Sequence, residues 1–251
     1  MRTFGLIGFP LSHSFSHKYF SEKFNRENIG GCEFKNFPLE SIKDFQELIQ
    51  NSPTLCGLSV TIPLKESVMK YLDEVDQEAR EIGAVNCIKV KRKLEIKNWK
   101  LYGFNTDAAG FEKSLVPLLQ SNHTKALILG TGGAAKAVAY VLKKLNIKFS
   151  FVTSNFKPQT SNFRYDQLTK EIILTHPLII NSTPLGMFPD VDKYPDIPYQ
   201  NLEEKHLLYD LIYNPEETLF LKKGKERGAQ IKNGLEMLEL QAEKAWEIWN
   251  A

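Results

Sequence analysis

Four short runs hold the residues best suited to chemistry. "FPLSHSFSH" (9–17) sets Ser12, Ser14 and Ser16 beside His13 and His17, on a turn between an apolar run and a helical pattern. A metal site, a nucleophile with its base, a helix cap and a cradle for a polyhydroxylated ligand all use these residue types, and the turn alone does not choose. "GLSVTIPLK" (57–65) puts Lys65 just past an apolar run and at the start of the next helical pattern. An ammonium held there serves as acid, base or anion clamp, although most lysines are ordinary surface groups. "GAVNCI" (83–88) carries Asn86 into an apolar run, where its amide either closes a turn or holds a ligand. "GFNTDAAGF" (103–111) places Asn105, Thr106 and Asp107 just before a helical pattern. All three are preferred N-cap types, so this run read alone is a cap.

A fifth run, "ILGTGGAAKAV" (128–138), is more specific. Gly130, Gly132 and Ala135 fit G-x-G-x-x-A between a strand and a helix, with Gly133 as an extra glycine. Gly130 makes the tight turn, Gly132 lets the backbone approach a pyrophosphate, and a small residue at 135 seats the helix on its strand. The helix N-terminus then turns its N–H groups toward the anion. The next strand ends in Thr153, Ser154 and Asn155, with Lys157 nearby. NAD-binding units usually carry Asp or Glu there for the ribose 2′-hydroxyl. Here no carboxylate repels a 2′-phosphate, which points to NADP(H).

Other chemistries fit less well. His13 and His17 are spaced like zinc ligands on a helix, but His13 precedes the helical pattern and no third ligand is near, so no metal is expected. No G-x-S-x-G elbow supports a serine hydrolase.

These residues need a scaffold, and the pattern supplies one. Apolar runs at 3–9, 32–39, 56–62, 125–130, 148–153, 177–183 and 206–213 read as strands, and 84–105 alternates like a hairpin. Helical patterns cover 16–28, 41–51 with Ser41 as cap, 64–72, 132–146 and 218–228. The last, 235–251, carries Leu235, Leu238, Ala242, Ala245 and Trp249 on one stripe. Residues 154–171 read as irregular, without a helix. Strands alternating with helices predict an α/β fold with mainly parallel sheets. The best boundary lies near 103–107, dividing the chain into 1–105, completed by 235–251, and 106–234. No flexible linker marks it, so the two domains are expected to flank a cleft.

Composition narrows the class. With 32 basic against 30 acidic residues the net charge is +2, which gives no electrostatic footprint for nucleic acid or an anionic membrane. Cys32, Cys56 and Cys87 are odd in number and widely spaced, as reduced thiols in a cytosolic protein are. No signal-peptide pattern and no apolar run of ~20 residues is present. A cytoplasmic globular protein is expected.

The ordered set "PLSHSFS … VTIPLK … GAVN … NTDAAGF … GTGGAAKAV … NSTPLGM … YDLIYNP … NGLEMLELQA" closely resembles the shikimate dehydrogenases, over essentially the whole chain. The resemblance implies an N-terminal substrate domain and a Rossmann-type domain that binds NADP(H). It implies reversible NADPH-dependent reduction of 3-dehydroshikimate to shikimate, a step toward chorismate and the aromatic amino acids. By motif, Ser14 and Ser16 hold the shikimate carboxylate, and Thr61, Asn86 and Asp107 its hydroxyls. Lys65 is the catalytic lysine, paired with Asp107, while Tyr213 and Gln241 complete the substrate site. Gly130, Thr131, Gly132, Gly133 and Ala134 cradle the pyrophosphate, and Thr153, Ser154 and Asn155 face the 2′-phosphate. Leu211 and Gly234 line the nicotinamide side. Three departures stand out, one being the short, Pro-containing and irregular segment after residue 155, where the family's usual next helix is expected to be lost. Ser59 replaces a common Asn, and "TSN" replaces the family's "NRT"-type turn. An NAD-using quinate/shikimate dehydrogenase and a non-catalytic shikimate-binding homologue are the alternatives, the second opposed by retention of Lys65 and Asp107. The protein is expected to act as a monomer or homodimer.

Overall fold

The computed structural model describes residues 1–11, 15–93, 98–154 and 162–251. Among them the alternation of apolar and amphipathic runs becomes two α/β units, Met1–Ala109 with Gln241–Ala251, and Gly110–Leu240. In chain order the elements are β1 (Arg2–Gly8), α1 (Phe15–Arg26), β2 (Cys32–Pro38), α2 (Phe45–Asn51), β3 (Leu55–Val60), β4 (Glu74–Val75), α3 (Gln77–Ile82), β5 (Cys87–Lys93), β6 (Asn98–Phe104) and α4 (Thr106–Leu115). Then follow β7 (Lys125–Leu129), α5 (Gly133–Lys144), β8 (Lys148–Val152), α6 (Lys170–Thr175), β9 (Leu178–Asn181), β10 (Leu207–Asp210), α7 (Leu219–Lys225), β11 (Gln230–Lys232) and α8 (Leu235–Asn250).

The first unit is built on a sheet of order β2-β1-β3-β5-β6-β4. β1 pairs in parallel with β2 and β3, and β5 runs antiparallel to β3 and β6. One face buries Leu58, Val60, Ile88 and Val90 against Phe45, Ile49 and Val68. The other buries Phe4, Phe34 and Cys87 against Phe20 and Phe24 of α1 and Ala242, Ala245 and Trp249 of α8. The α8 stripe differs from expectation at its start. Leu235 is exposed and Met237 is buried in its place. Gly57 lets the indole lie on β3, since a Cβ there would stand 2.4 Å from Trp249 Cδ1. Trp249 Nε1 also donates to the Ile88 carbonyl at 3.0 Å. Truncating such a buried ring costs about 3–5 kcal/mol.

The second unit has an all-parallel sheet of order β11-β10-β9-β7-β8. The chain passes from β7 to β8 on one side and to β9 on the other, so the strand order reverses at β7. Ligands in such folds bind beyond the carboxyl ends of the strands at that reversal. Leu127, Leu129, Ile179 and Leu208 face Ile173, Phe220 and Leu221, and Ala135, Val138 and Leu142 of α5 are wholly buried. Helix α6 lies at the end of the stretch read as irregular. Thr169 caps it and Ile173 is its buried anchor, so at six residues it is too short to print a period. Among the described residues no helix is long and apolar enough to cross a membrane.

Candidate active site

Strand register gathers the first group of residues. Ile7 pairs with Val60, Ser59 with Cys87, and Cys87 with Phe104. Thr61 after β3, Asn86 before β5 and Asn105–Asp107 after β6 therefore leave the sheet at one end. Asn105 does the capping there. Its Oδ1 accepts from Ala108 N at 3.1 Å and its Nδ2 donates to the Ala84 carbonyl at 2.9 Å. That releases Thr106 and Asp107 from the capping role.

Asn86 is the hub of what remains. Its Nδ2 donates to Asp107 Oδ1 at 2.8 Å and to Thr106 Oγ1 at 3.0 Å, and its Oδ1 accepts from Thr106 N at 2.6 Å. Gln241 Oε1 accepts from Thr106 Oγ1 at 3.2 Å and from Asn86 Nδ2 at 3.4 Å. The second carboxylate oxygen of Asp107 accepts from Lys65 Nζ at 2.6 Å. Asn86, Thr106, Asp107 and Gln241 are all buried. The Lys65 side chain keeps 16% of its surface, so the ammonium is held yet reachable. Such a pair can give or take a proton at an oxygen held beside it and can stabilise charge developing there.

The local frame of Lys65 differs from expectation. No α-helix starts at 64. Lys65 sits in a turn, followed by a 3₁₀ segment over Ser67–Tyr71. The Leu64 carbonyl accepts from Val68 N at 2.9 Å and from Ser67 Oγ at 3.3 Å, and the bonds that follow, Met69 N to the Glu66 carbonyl and Leu72 N to the Met69 carbonyl, are of the tighter i,i+3 type. Lys65 is fixed instead by its backbone, whose carbonyl accepts from Val85 N at 2.8 Å.

The second group is the glycine turn after β7. Gly130 has φ +104°, and a Cβ on it would meet Ser182 Oγ at 3.0 Å. Gly132 is the N-cap of α5 with φ −76°, and it makes no side-chain cap bond. A Cβ on Gly132 would have no protein atom within 4 Å. Packing therefore leaves that position open, and only a group approaching from outside needs it bare. The first turn of α5 holds no acidic residue, so an anion meets N–H groups and no opposing charge. The residues present fit a dinucleotide pyrophosphate.

Residues 6–88 match the family model described as the shikimate dehydrogenase substrate binding domain. The NADP-dependent shikimate dehydrogenase of Clostridium beijerinckii is 39% identical over 99% of this chain and 92% of its own length. The corresponding protein of Desulforamulus reducens is 36% identical over 98% of this chain and 88% of its own. The chain belongs to the shikimate dehydrogenase family. Among solved structures, a shikimate 5-dehydrogenase of Thermus thermophilus in complex with NADP(H) and shikimate superposes with TM-score 0.84. It is 28% identical and covers 99% of this chain and 93% of that one.

The family's motif residues distribute as follows. Lys65, Asn86, Asp107 and Gln241 form one network. Ser16 is buried in the first turn of α1, and Thr61 is half-buried just after β3. Ser14 lies outside the described residues, as do Asn155 and Lys157. Thr153 is buried, its N–H donating to the Phe163 carbonyl at 3.1 Å, and Ser154 is exposed. Thr131 is exposed, and Gly133 and Ala134 are half-buried in the turn. Tyr213 is half-buried in the second unit, and burial raises its phenol. Gly234 and Leu211 meet directly. A Cβ at 234 would stand 2.1 Å from the Leu211 carbonyl oxygen, so only glycine fits.

Two structural contributors escaped the sequence reading. Thr106 looked like a cap and instead links Asn86 to Gln241. Asp210 ends β10 wholly buried, accepting from Thr218 Oγ1 at 2.6 Å, Asn181 Nδ2 at 3.0 Å and Ile212 N at 3.0 Å. These bonds end the strand at 210 and shape the Leu211–Tyr213 turn. A lone Asp in the apolar run "LLYDLIY" was the available signal.

Proposed function

We propose that this protein is an NADP-dependent shikimate dehydrogenase that interconverts 3-dehydroshikimate and shikimate. The observation that carries the reading is the Lys65–Asp107 pair, anchored by Asn86, in a chain that belongs to this family. Asp107 and Asn86 present acceptors and donors to the hydroxyls of a cyclic triol, with Thr61 and Gln241 beside them. Ser16, with Ser14, holds the carboxylate. A site that bonds each hydroxyl discriminates against analogues lacking one by roughly 10⁴-fold.

Gly130–Ala134 hold the pyrophosphate at the start of α5, and Thr153 and Ser154 serve the 2′-phosphate. Leu211 and Gly234 line the nicotinamide side, with Tyr213 contributing to the substrate. When bound, the nicotinamide supplies the hydride. Reduction of the ketone leaves an oxygen that needs a proton, and Lys65 Nζ holds one. The same ammonium stabilises the negative charge that builds on that oxygen. Asp107 keeps the ammonium in place and favours its charged form. In this reading the first unit binds substrate and the second binds NADP(H), in a cytoplasmic monomer or homodimer.

The test follows nicotinamide absorbance with shikimate and quinate, each with NADP and NAD. Shikimate with NADP should be the fastest of the four. Absence of turnover in all four removes the enzyme reading. A preference for NAD or for quinate selects the alternative dehydrogenase.

A further inference from the structure

Gln241 reaches the site from α8, and its bonds to Thr106 and Asn86 are long. At 3.2 and 3.4 Å they stand at or beyond the far end of good hydrogen-bond geometry. A helix advances ~1.5 Å and turns ~100° per residue, so a slide of a fraction of one residue breaks them. The apolar contacts of this helix near Gln241 come from Met237, from the small Ala242 and Ala245, and from Trp246, whose ring packs on Phe4, Phe20 and Phe24. The Trp249 anchor lies about 12 Å further along the axis. Ring packing is non-directional, and a directional contact nearer to Gln241 fixes rotation and axial position more tightly.

That role falls to Glu243. On α1, Lys23 is only 4% exposed. Its ammonium donates to the Glu243 carboxylate at 2.8 and 3.0 Å and to Glu27 at 2.9 Å. Tyr19 Oη donates to the same Glu243 carboxylate. Burial pulls the Lys23 ammonium down, and its bonds to Glu243 and Glu27 outweigh that, leaving it raised. Lys23 is buried while the Glu243 side chain keeps 39% of its surface, so the pair adds little stability and is better suited to setting a register. Glu243 stands two residues from Gln241, on a different side of α8, so it fixes both axial position and rotation.

We propose that the Lys23–Glu243 pair, buried on its lysine side, is a positioning device that holds α8 on α1 at the register where Gln241 reaches Asn86 and Thr106. The inference rests on the reading above through the placement of Gln241 in the substrate site. Lys23 and Glu243 touch neither substrate nor cofactor and act through Gln241.

The experiment measures kcat and both KM values, together with shikimate binding by calorimetry, for seven proteins. They are wild type, Glu243→Gln, Lys23→Met, Lys23→Arg, Gln241→Ala and the two double variants that combine Gln241→Ala with Glu243→Gln or with Lys23→Met. Glu243→Gln should raise the KM and Kd for shikimate about fivefold to tenfold and leave the KM for NADP within about twofold. On the Gln241→Ala background the same substitution should add nothing. Lys23→Met repeats the comparison if Glu243→Gln fails to fold, and Lys23→Arg should restore near-normal binding. Equal effects in both backgrounds overturn the proposal, as does unchanged shikimate affinity in a folded variant or matching losses for shikimate and NADP. Wild-type protein that binds shikimate without turning it over removes the enzyme reading alone. Protein that binds none removes both.

Discussion

Lys65 Nζ stands 2.6 Å from Asp107 Oδ2, while the other oxygen of that carboxylate takes a 2.8 Å bond from Asn86. Asp107 is thus held from both sides, and the lysine is held by Asp107. The pair joins residues 42 apart in sequence. It is the only part of the network with substantial solvent access on one partner, since Lys65 keeps 16% of its side-chain surface and Asp107 keeps 9%.

Replacing Lys65 by Ala should therefore cost turnover more than binding. A lost proton donor of this kind lowers kcat by about 10²–10⁴-fold. The KM for shikimate should change little. A dominant rise in KM with kcat retained would make Lys65 a binding residue instead.

Asn86 offers a sharper comparison. Asn86→Ala leaves Thr106 N and one oxygen of Asp107 without their buried partner, at about 1–3 kcal/mol for each group left unsatisfied. Asn86→Asp restores an acceptor for Thr106 N but turns a carboxylate toward Asp107. Like charges that close disfavour both ionised forms. Thermal melts should show both variants destabilised, and kcat/KM should be lower in Asn86→Asp. Higher activity in Asn86→Asp than in Asn86→Ala would rule out Asp107 as the partner that matters.

How much of this was legible in sequence depended on distance along the chain. The glycine turn at 130–135 was readable because every residue it needs is local. The Lys65 network was readable only as residue types, because strand register brings them together. The run Asn105–Asp107 held three equally good caps, and only the fold assigns the cap to Asn105. Nothing near Lys23 marks it as buried, since its main partner lies 220 residues away. The helix expected at 64–72 failed locally, where the i,i+4 bond from Val68 N to the Leu64 carbonyl gives way to the i,i+3 bonds of Met69 and Leu72.

The two glycines of the turn should separate cleanly. At Gly130, φ is +104° and a Cβ meets Ser182, so Gly130→Ala should destabilise the fold by about 1–3 kcal/mol. Gly132 has ordinary dihedrals and open space, so Gly132→Ala should melt at or slightly above the wild-type temperature. It should nevertheless raise the KM for NADP about tenfold, ~1.4 kcal/mol of lost cofactor contact. Unchanged NADP affinity in folded Gly132→Ala would remove this turn from the cofactor site.

Asp210 supplies a prediction in pH. Burial pushes its carboxyl up to about 7 from an ordinary 3.8, although Thr218, Ile212 and Asn181 all donate to it and pull the other way. Between those values the native state keeps a proton that the unfolded chain has released. Stability rises with pH only where the unfolded state binds more protons, and here the native state binds more. The contribution of Asp210 is therefore greatest below pH 3.8, falls as pH rises toward 7, and is flat above. Asp210→Asn keeps an acceptor for Ile212 and removes the titration. Urea melts of both proteins from pH 4.5 to 8 should show wild type losing stability relative to Asp210→Asn as pH rises, since groups common to both cancel. Parallel curves across that range would mean that Asp210 stays ionised in its pocket, held by its three donors against the cost of burial.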